Sequence, residues 1–117
     1  MKDKRQDSFE RLKHIQKAIL EIERFTKSIS VNKFIQTDIL NNAVLFQFSV
    51  IGEAINYVEK EILIKYKYPW FKVRSFRNLI AHEYYNVKLE AVWLIINNDL
   101  PELKKNIDAI LKNEFKS

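Results

Sequence analysis

DILNNAVLFQFSVIGEAINYVEKEILIK, residues 38–65, decides the fold. Its apolar positions Ala43, Phe46, Val50, Ile51, Ala54, Ile55, Val58 and Ile62, with Gln47 among them, recur at steps of about three and four. That is the period of a helix and not of a strand. Leu45, Phe48 and Ile64 widen the stripe. A helix apolar over so much of its surface is either central in a bundle or shared with a second subunit. Thr37 or Asp38 supplies its N-cap. Gly52 costs about 1 kcal/mol relative to Ala in a helix interior, so a close crossing by another helix is the expected compensation. Glu53 beside it reads either as a surface carboxylate or as the partner of an arginine in a site.

The flanking segments carry the same period. Phe9, Leu12, Ile15, Ile19, Ile22, Phe25 and Ile29 predict an amphipathic helix over about 7–28, capped by Asp7 or Ser8. His14 lies off that stripe, between Lys13 and Lys17, and is expected to face solvent. A break at Ser30 or Asn32 precedes a short helical turn over 31–36. Pro69 ends the long helix, because a residue before proline avoids helical geometry. A helix from Trp70 or Phe71 to Tyr85 follows, ended by Asn86. The next helix, about 88–98, places Leu89, Val92, Trp93 and Ile96 on one face and Leu94 and Ile95 elsewhere, and is expected to be well buried. Asp99-Leu100-Pro101-Glu102 reads as a capping box with proline in the first turn. The last helix carries Leu103, Ile107, Ile110, Leu111 and Phe115. The expected architecture is all-α, an up-and-down bundle of four to five helices.

Composition agrees. The chain has 117 residues, 47% of them hydrophobic, which suits one domain spanning 1–117 with a single core. One Gly and two Pro allow few turns. With no Cys, disulfides and thiolate metal sites are excluded, and a reducing cytoplasm is the expected location. The charged segment 1–7 is unlike a signal peptide, and no apolar run approaches the ~18 residues that span a membrane. A net charge of +5 suits an anionic partner such as RNA, or simply a lysine-rich surface.

The chemistry concentrates in Arg77-Asn78-Leu79-Ile80-Ala81-His82-Glu83-Tyr84. Arginine offers a fixed fork for phosphate oxygens, and histidine moves protons near neutral pH. On one continuous helix Arg77 and Tyr84 share a face, and Asn78, His82 and Tyr85 share the neighbouring one. Arg77 and His82 lie roughly 140° apart around the axis. A two-fold dimer would close that gap by bringing two such helices to one cleft. Without other signals, Arg77 pairs with Glu53 or Glu83 and His82 caps a helix end.

Four motifs in order supply the other signals. Arg77-x4-His82-x-Tyr84, with Asn78 after the arginine, resembles the HepT-like toxin family of the HEPN superfamily. Ile51-Gly52-Glu53-Ala54, Pro69-Trp70, and the single segment formed by Val92-Trp93 with Asp99-Leu100-Pro101-Glu102-Leu103 resemble its flanking segments, so the likeness covers roughly residues 5–115. It implies a composite cleft at a symmetric homodimer interface. It implies a toxin, an endoribonuclease needing no metal or other cofactor, with Arg77, His82 and Asn78 as catalytic residues. It also implies a minimal nucleotidyltransferase antitoxin as partner, which attaches AMP to Tyr84; Tyr85, its neighbour, is the other candidate ring.

In such a site His82 acts as general base or acid, and Arg77 stabilises the phosphorane. Asn78 orients His82 or binds phosphate. Lys72 and Arg74, with Lys65 and Lys67, guide the RNA backbone. Tyr66, Tyr68 and Trp70 stack bases or pack the core. The other reading is a non-catalytic subunit that binds nucleotide or polynucleotide for a nucleotidyltransferase.

Overall fold

The computed structural model describes residues 3–115, all helix, turn or coil among those residues. The elements are α1 (Lys4–Thr26), α2 (Val31–Gln36), α3 (Asp38–Ile55), α4 (Lys60–Leu63), α5 (Trp70–His82), α6 (Leu89–Leu94) and α7 (Leu100–Glu114). None of them is long and apolar enough to cross a membrane.

α1 buries Leu12, Ile15, Ala18, Ile19 and Ile22, each at most 1% exposed, along one stripe. His14 is exposed. The helix begins a turn earlier than expected, with Asp3 as N-cap. Asp7 instead pairs with Arg11 at 3.7 Å. Ser8 is fully buried, and its hydroxyl accepts the Glu59 amide at 3.0 Å. The break comes earlier too: Lys27 is already extended, and Ser28 follows with a left-handed φ of 61°. Ser30 then caps α2, accepting the Lys33 amide at 3.1 Å.

The long helix over 38–65 is two helices. α3 stops at Ile55, and the amides of Asn56, Tyr57 and Val58 turn back to the carbonyls three residues earlier. Tertiary contacts hold the turn: the Ser8 hydroxyl takes the Glu59 amide, and Arg11 lies 4.2 Å over the Tyr57 ring. Val58 and Ile62 stay buried, so the period survives the break. Phe46 does not face the core; it is 63% exposed, and Ile64 is 83% exposed. The α2–α3 corner is fixed by Asn41, buried, whose amide donates to the Phe34 and Ile35 carbonyls at 3.2 and 3.3 Å.

α1 and α3 are antiparallel, since Ser8 meets Glu59. α3 and α5 are antiparallel, since Arg74 Nε donates to Asn56 Oδ1 at 3.0 Å while Arg77 meets Glu53. α1 and α7 are antiparallel, with Gln16 bonded to Asp108 and Lys104 to Glu23. The up-and-down bundle is thus α5–α3–α1–α7. Between α5 and α7 a cavity of about 440 Å³ remains, floored by Phe48, Ile51, Val73, Phe76, Leu100 and Leu103.

Asp99 caps nothing. α6 runs into α7 through a π-helical turn, Ile95–Asp99, in which the Leu100 amide reaches Ile95 O. Pro101 brings no N–H to the helix that follows. A wider turn ahead of it keeps the chain helical, so no cap is called for. Leu94 on α6 points outward, 59% exposed, while Val92 and Ile96 are buried.

Candidate functional site

The site is built on the α3–α5 crossing. A methyl at Gly52 would overlap the Cβ of Arg77 and lie 3.0 Å from Val73 O. Only glycine allows the two helices this close. The crossing puts Glu53 against the arginine: Glu53 Oε1 lies 2.9 Å from Arg77 Nη2. Arg77 Nη1 donates to Asn78 Oδ1 at 3.4 Å. The guanidinium is therefore held at two of its five N–H groups, and three remain for a ligand. Arg77 is 34% exposed and Glu53 43%, so both are accessible.

His82 is the last residue of α5 and is exposed. It lies about 7.5 Å beyond Arg77 along the axis. Among the described residues no hydrogen bond joins the two, and Asn78 bonds Arg77 rather than His82. One chain presents arginine and histidine on different sides of the helix end.

The helix does not reach Tyr85. Glu83, at φ −139° and ψ 48°, leaves it, and a 3₁₀ turn, Tyr84–Asn86, follows. The shared face of Arg77 and Tyr84, and that of Asn78, His82 and Tyr85, therefore does not form. Tyr84 turns back to α3 instead, where its hydroxyl donates to Asn42 Oδ1. Its burial, and then the neighbouring Tyr85, push the Tyr84 phenol above the ordinary value, so it stays protonated near neutral pH. Tyr85 stands 98% exposed, edge-on to Tyr84 at 5.6 Å. Asn42 is the residue that sequence reasoning missed. A second asparagine beside Asn41 in an apolar helix was the only sign of it.

The basic residues are dispersed. Arg74 is engaged by Asn56. Lys65 is paired with Glu114 at 3.1 Å. Lys72 and Lys67 are exposed at the mouth of the cavity between α5 and α7. Trp70 is a packing residue: it is 8% exposed, and its indole N–H is shared by the Leu63 and Tyr66 carbonyls at 3.0 and 3.2 Å. Tyr68 packs on it with ring centroids 4.9 Å apart. The Tyr66 hydroxyl donates to Glu114 at 3.0 Å.

The family model described as "Ribonuclease HepT-like" matches residues 15–110. A protein of Caldanaerobacter subterraneus named "Putative RNase TTE0752" is 35% identical over 105 residues, covering 88% of this chain and 93% of that one. A protein of Methanocaldococcus jannaschii named "Putative RNase MJ1380" is 30% identical over 91 residues, covering 77% and 84%. "Probable ribonuclease HepT" of Thermococcus cleftensis is 28% identical over 102 residues, covering 86% and 93%. No solved structure matches the chain significantly. With a family model spanning most of its length and relatives matched nearly end to end, the chain belongs to the HepT-like ribonuclease family.

Proposed function

We propose that this chain is a metal-independent endoribonuclease, the toxin of a toxin–antitoxin pair, acting on RNA in the cytoplasm. The carrying observation is Arg77, held by Glu53 and Asn78 with N–H groups to spare, on the same helix as an exposed His82. The ribose 2′-hydroxyl attacks the adjacent phosphate. Arg77 stabilises the charge gathering on the phosphorane, and His82 moves a proton. Asn78 steadies the guanidinium, and Lys72 and Arg74 attract the backbone. The relatives named as RNases support the reaction class.

The working unit is a homodimer. Ile39, Ala43, Phe46 and Val50 follow one another on α3 at steps of four, three and four and lead to Glu53. Ile39 is 86% and Phe46 63% exposed, an apolar seam that a second copy would cover. Such a dimer sets the two α5 helices around one cleft and brings Arg77 of each chain towards His82 of the other.

A nucleotidyltransferase antitoxin then silences the site by transferring AMP to Tyr84. The adduct sets a phosphate near the cleft, where it competes with RNA for positive charge.

The test is cleavage of total RNA by the purified chain. Arg77→Ala and His82→Ala should each lose activity by ~10²-fold or more at unchanged helicity, and EDTA should have no effect. Cleavage that stops with EDTA and survives His82→Ala refutes the mechanism. Co-expression with a neighbouring nucleotidyltransferase should add AMP units to the intact mass, and Tyr84→Phe should block the addition. Addition that persists in Tyr84→Phe and disappears in Tyr85→Phe reassigns the acceptor.

A further inference from the structure

Cleavage of RNA by its own 2′-hydroxyl requires two proton transfers. One group takes the 2′-proton, and another gives a proton to the departing 5′-oxygen. In-line geometry sets these groups on opposite sides of phosphorus, so one side chain cannot easily serve both. Each chain offers one histidine in the motif, because His14 lies on α1 away from the α3–α5 crossing.

The crossing supplies a second candidate. Glu53 is 43% exposed, and its carboxylate lies 2.9 Å from the guanidinium proposed to bind the phosphate. Gly52 is what permits the approach, since any side chain there would overlap Arg77. A phosphate seated on the remaining N–H groups of Arg77 is thereby brought next to a carboxylate. Arg77 is the charged partner facing Glu53 from α5, and Arg74, one turn along, is engaged by Asn56. The carboxylate is open to solvent and so within reach of a substrate.

We propose that Glu53 is a catalytic residue, the general base of the cleavage, with His82 as the general acid. The inference rests on the ribonuclease reading above. The Glu53 carboxylate removes the proton from the 2′-hydroxyl as the O2′–P bond forms. The P–O5′ bond breaks, and O5′ takes its proton from the His82 imidazolium. The products are a 2′,3′-cyclic phosphate and a 5′-hydroxyl end. Arg77 then has two tasks, to carry the phosphate and to hold the base. In the dimer proposed above the acid is the partner's His82, and the competing assignment for the base is the His82 of the same chain as Arg77.

Glu53→Gln separates the roles, because the amide oxygen still accepts from Arg77 but cannot take a proton at neutral pH. The cleavage site is first mapped on the parent protein. Two RNAs are then compared, the natural one and one with sulfur in place of the bridging 5′-oxygen, whose thiolate leaves without an acid. The expected result is that Glu53→Gln loses ~10²–10⁴-fold in kcat on both RNAs, while His82→Ala loses on the natural RNA and recovers on the sulfur one. The acidic limb of the parent's pH profile should vanish in Glu53→Gln.

Glu53→Gln within ~10-fold of the parent, with its acidic limb intact, overturns the assignment and leaves Glu53 a positioning residue. Recovery of Glu53→Gln rather than His82→Ala on the sulfur RNA overturns it also, reversing the two roles. If Glu53→Gln loses its helicity, the parent decides: a profile without an acidic limb overturns the proposal. Full cleavage by Arg77→Ala and His82→Ala defeats the ribonuclease mechanism itself, which is a different failure.

Discussion

The two flanks of the bundle are built on different terms. Where α1 meets α7, apolar side chains go in and charges stay out. Leu12, Ile15, Ile19 and Ile22 face Ile107 and Ile110, all at most 1% exposed, and Lys104–Glu23 and Gln16–Asp108 bridge the rim. Where α3 meets α5, Phe48, Ile51 and Ile80 are also buried, but the order does not hold throughout. Phe46, Ile39 and Leu79 lie in solvent, while Glu53 and Arg77 meet at a glycine crossing. The first flank follows the ordinary pattern of helix packing. The second departs from it in the segment that carries the family motif, which is where a functional constraint is expected to override packing.

Substitutions should expose this contrast. The largest effect on stability belongs to the α1 flank: Ile15→Ala or Ile107→Ala should cost about 2–5 kcal/mol in chemical denaturation. Phe46→Glu, of similar size change but on the other flank, should leave the folded monomer within about 0.5 kcal/mol of the parent. Its effect should appear in light scattering, as dissociation of the dimer proposed above. Equal destabilisation by both changes would erase the distinction between the flanks.

Gly52→Ala comes next. Helix propensity alone would gain about 1 kcal/mol. The overlap with Arg77 Cβ should reverse that sign to a net loss of about 1–3 kcal/mol, seen as a lower midpoint in urea. A stabilised Gly52→Ala would show that the crossing is loose. Lys104→Ala, which breaks an exposed pair of 3.0 Å, should cost under about 1 kcal/mol and so barely move the midpoint.

The smallest effect concerns pH. The hydrogen bond from Lys65, then that from Tyr66, holds the Glu114 carboxyl below its ordinary value. A depressed carboxylate contributes stability above its ordinary value and loses it as pH falls through the folded value. The gap in Tm between the parent and Glu114→Gln should therefore narrow on acidification from about pH 6 to about pH 3. A gap constant across that range would remove the clamp from the account.

The fold was legible wherever a period of three to four was carried by one helix alone. The stripes of α1 and α7 follow from the spacing of their apolar residues, and the limits of α2 from the breaking and capping residues around it. The breaks were not legible, because their causes are distant. α3 ends at Ile55 with its period unbroken through Val58 and Ile62, and the contact that bends the chain comes from Ser8, 51 residues away from Glu59. α5 ends at His82, where Tyr84 turns to Asn42 across 42 residues. In the site, a glycine within an apolar helix announced the close crossing, and Glu53 stood among the possible partners of Arg77. The spatial relation of Arg77 to Tyr84 was misjudged, since it assumed a helix that continues.

The π-turn between α6 and α7 acts as a phase shifter. It inserts one residue more than an ordinary turn and so sets the angle at which every later side chain emerges. Closing residues 95–99 to α-helical hydrogen bonding, with none of them removed, would rotate α7 by about 100°. Leu103, Ile107 and Ile110 would swing off the core, and lysines of the same helix would swing towards it. The alignment of the whole C-terminal helix is thus written in one extra residue, ahead of a proline that cannot be hydrogen-bonded in its place.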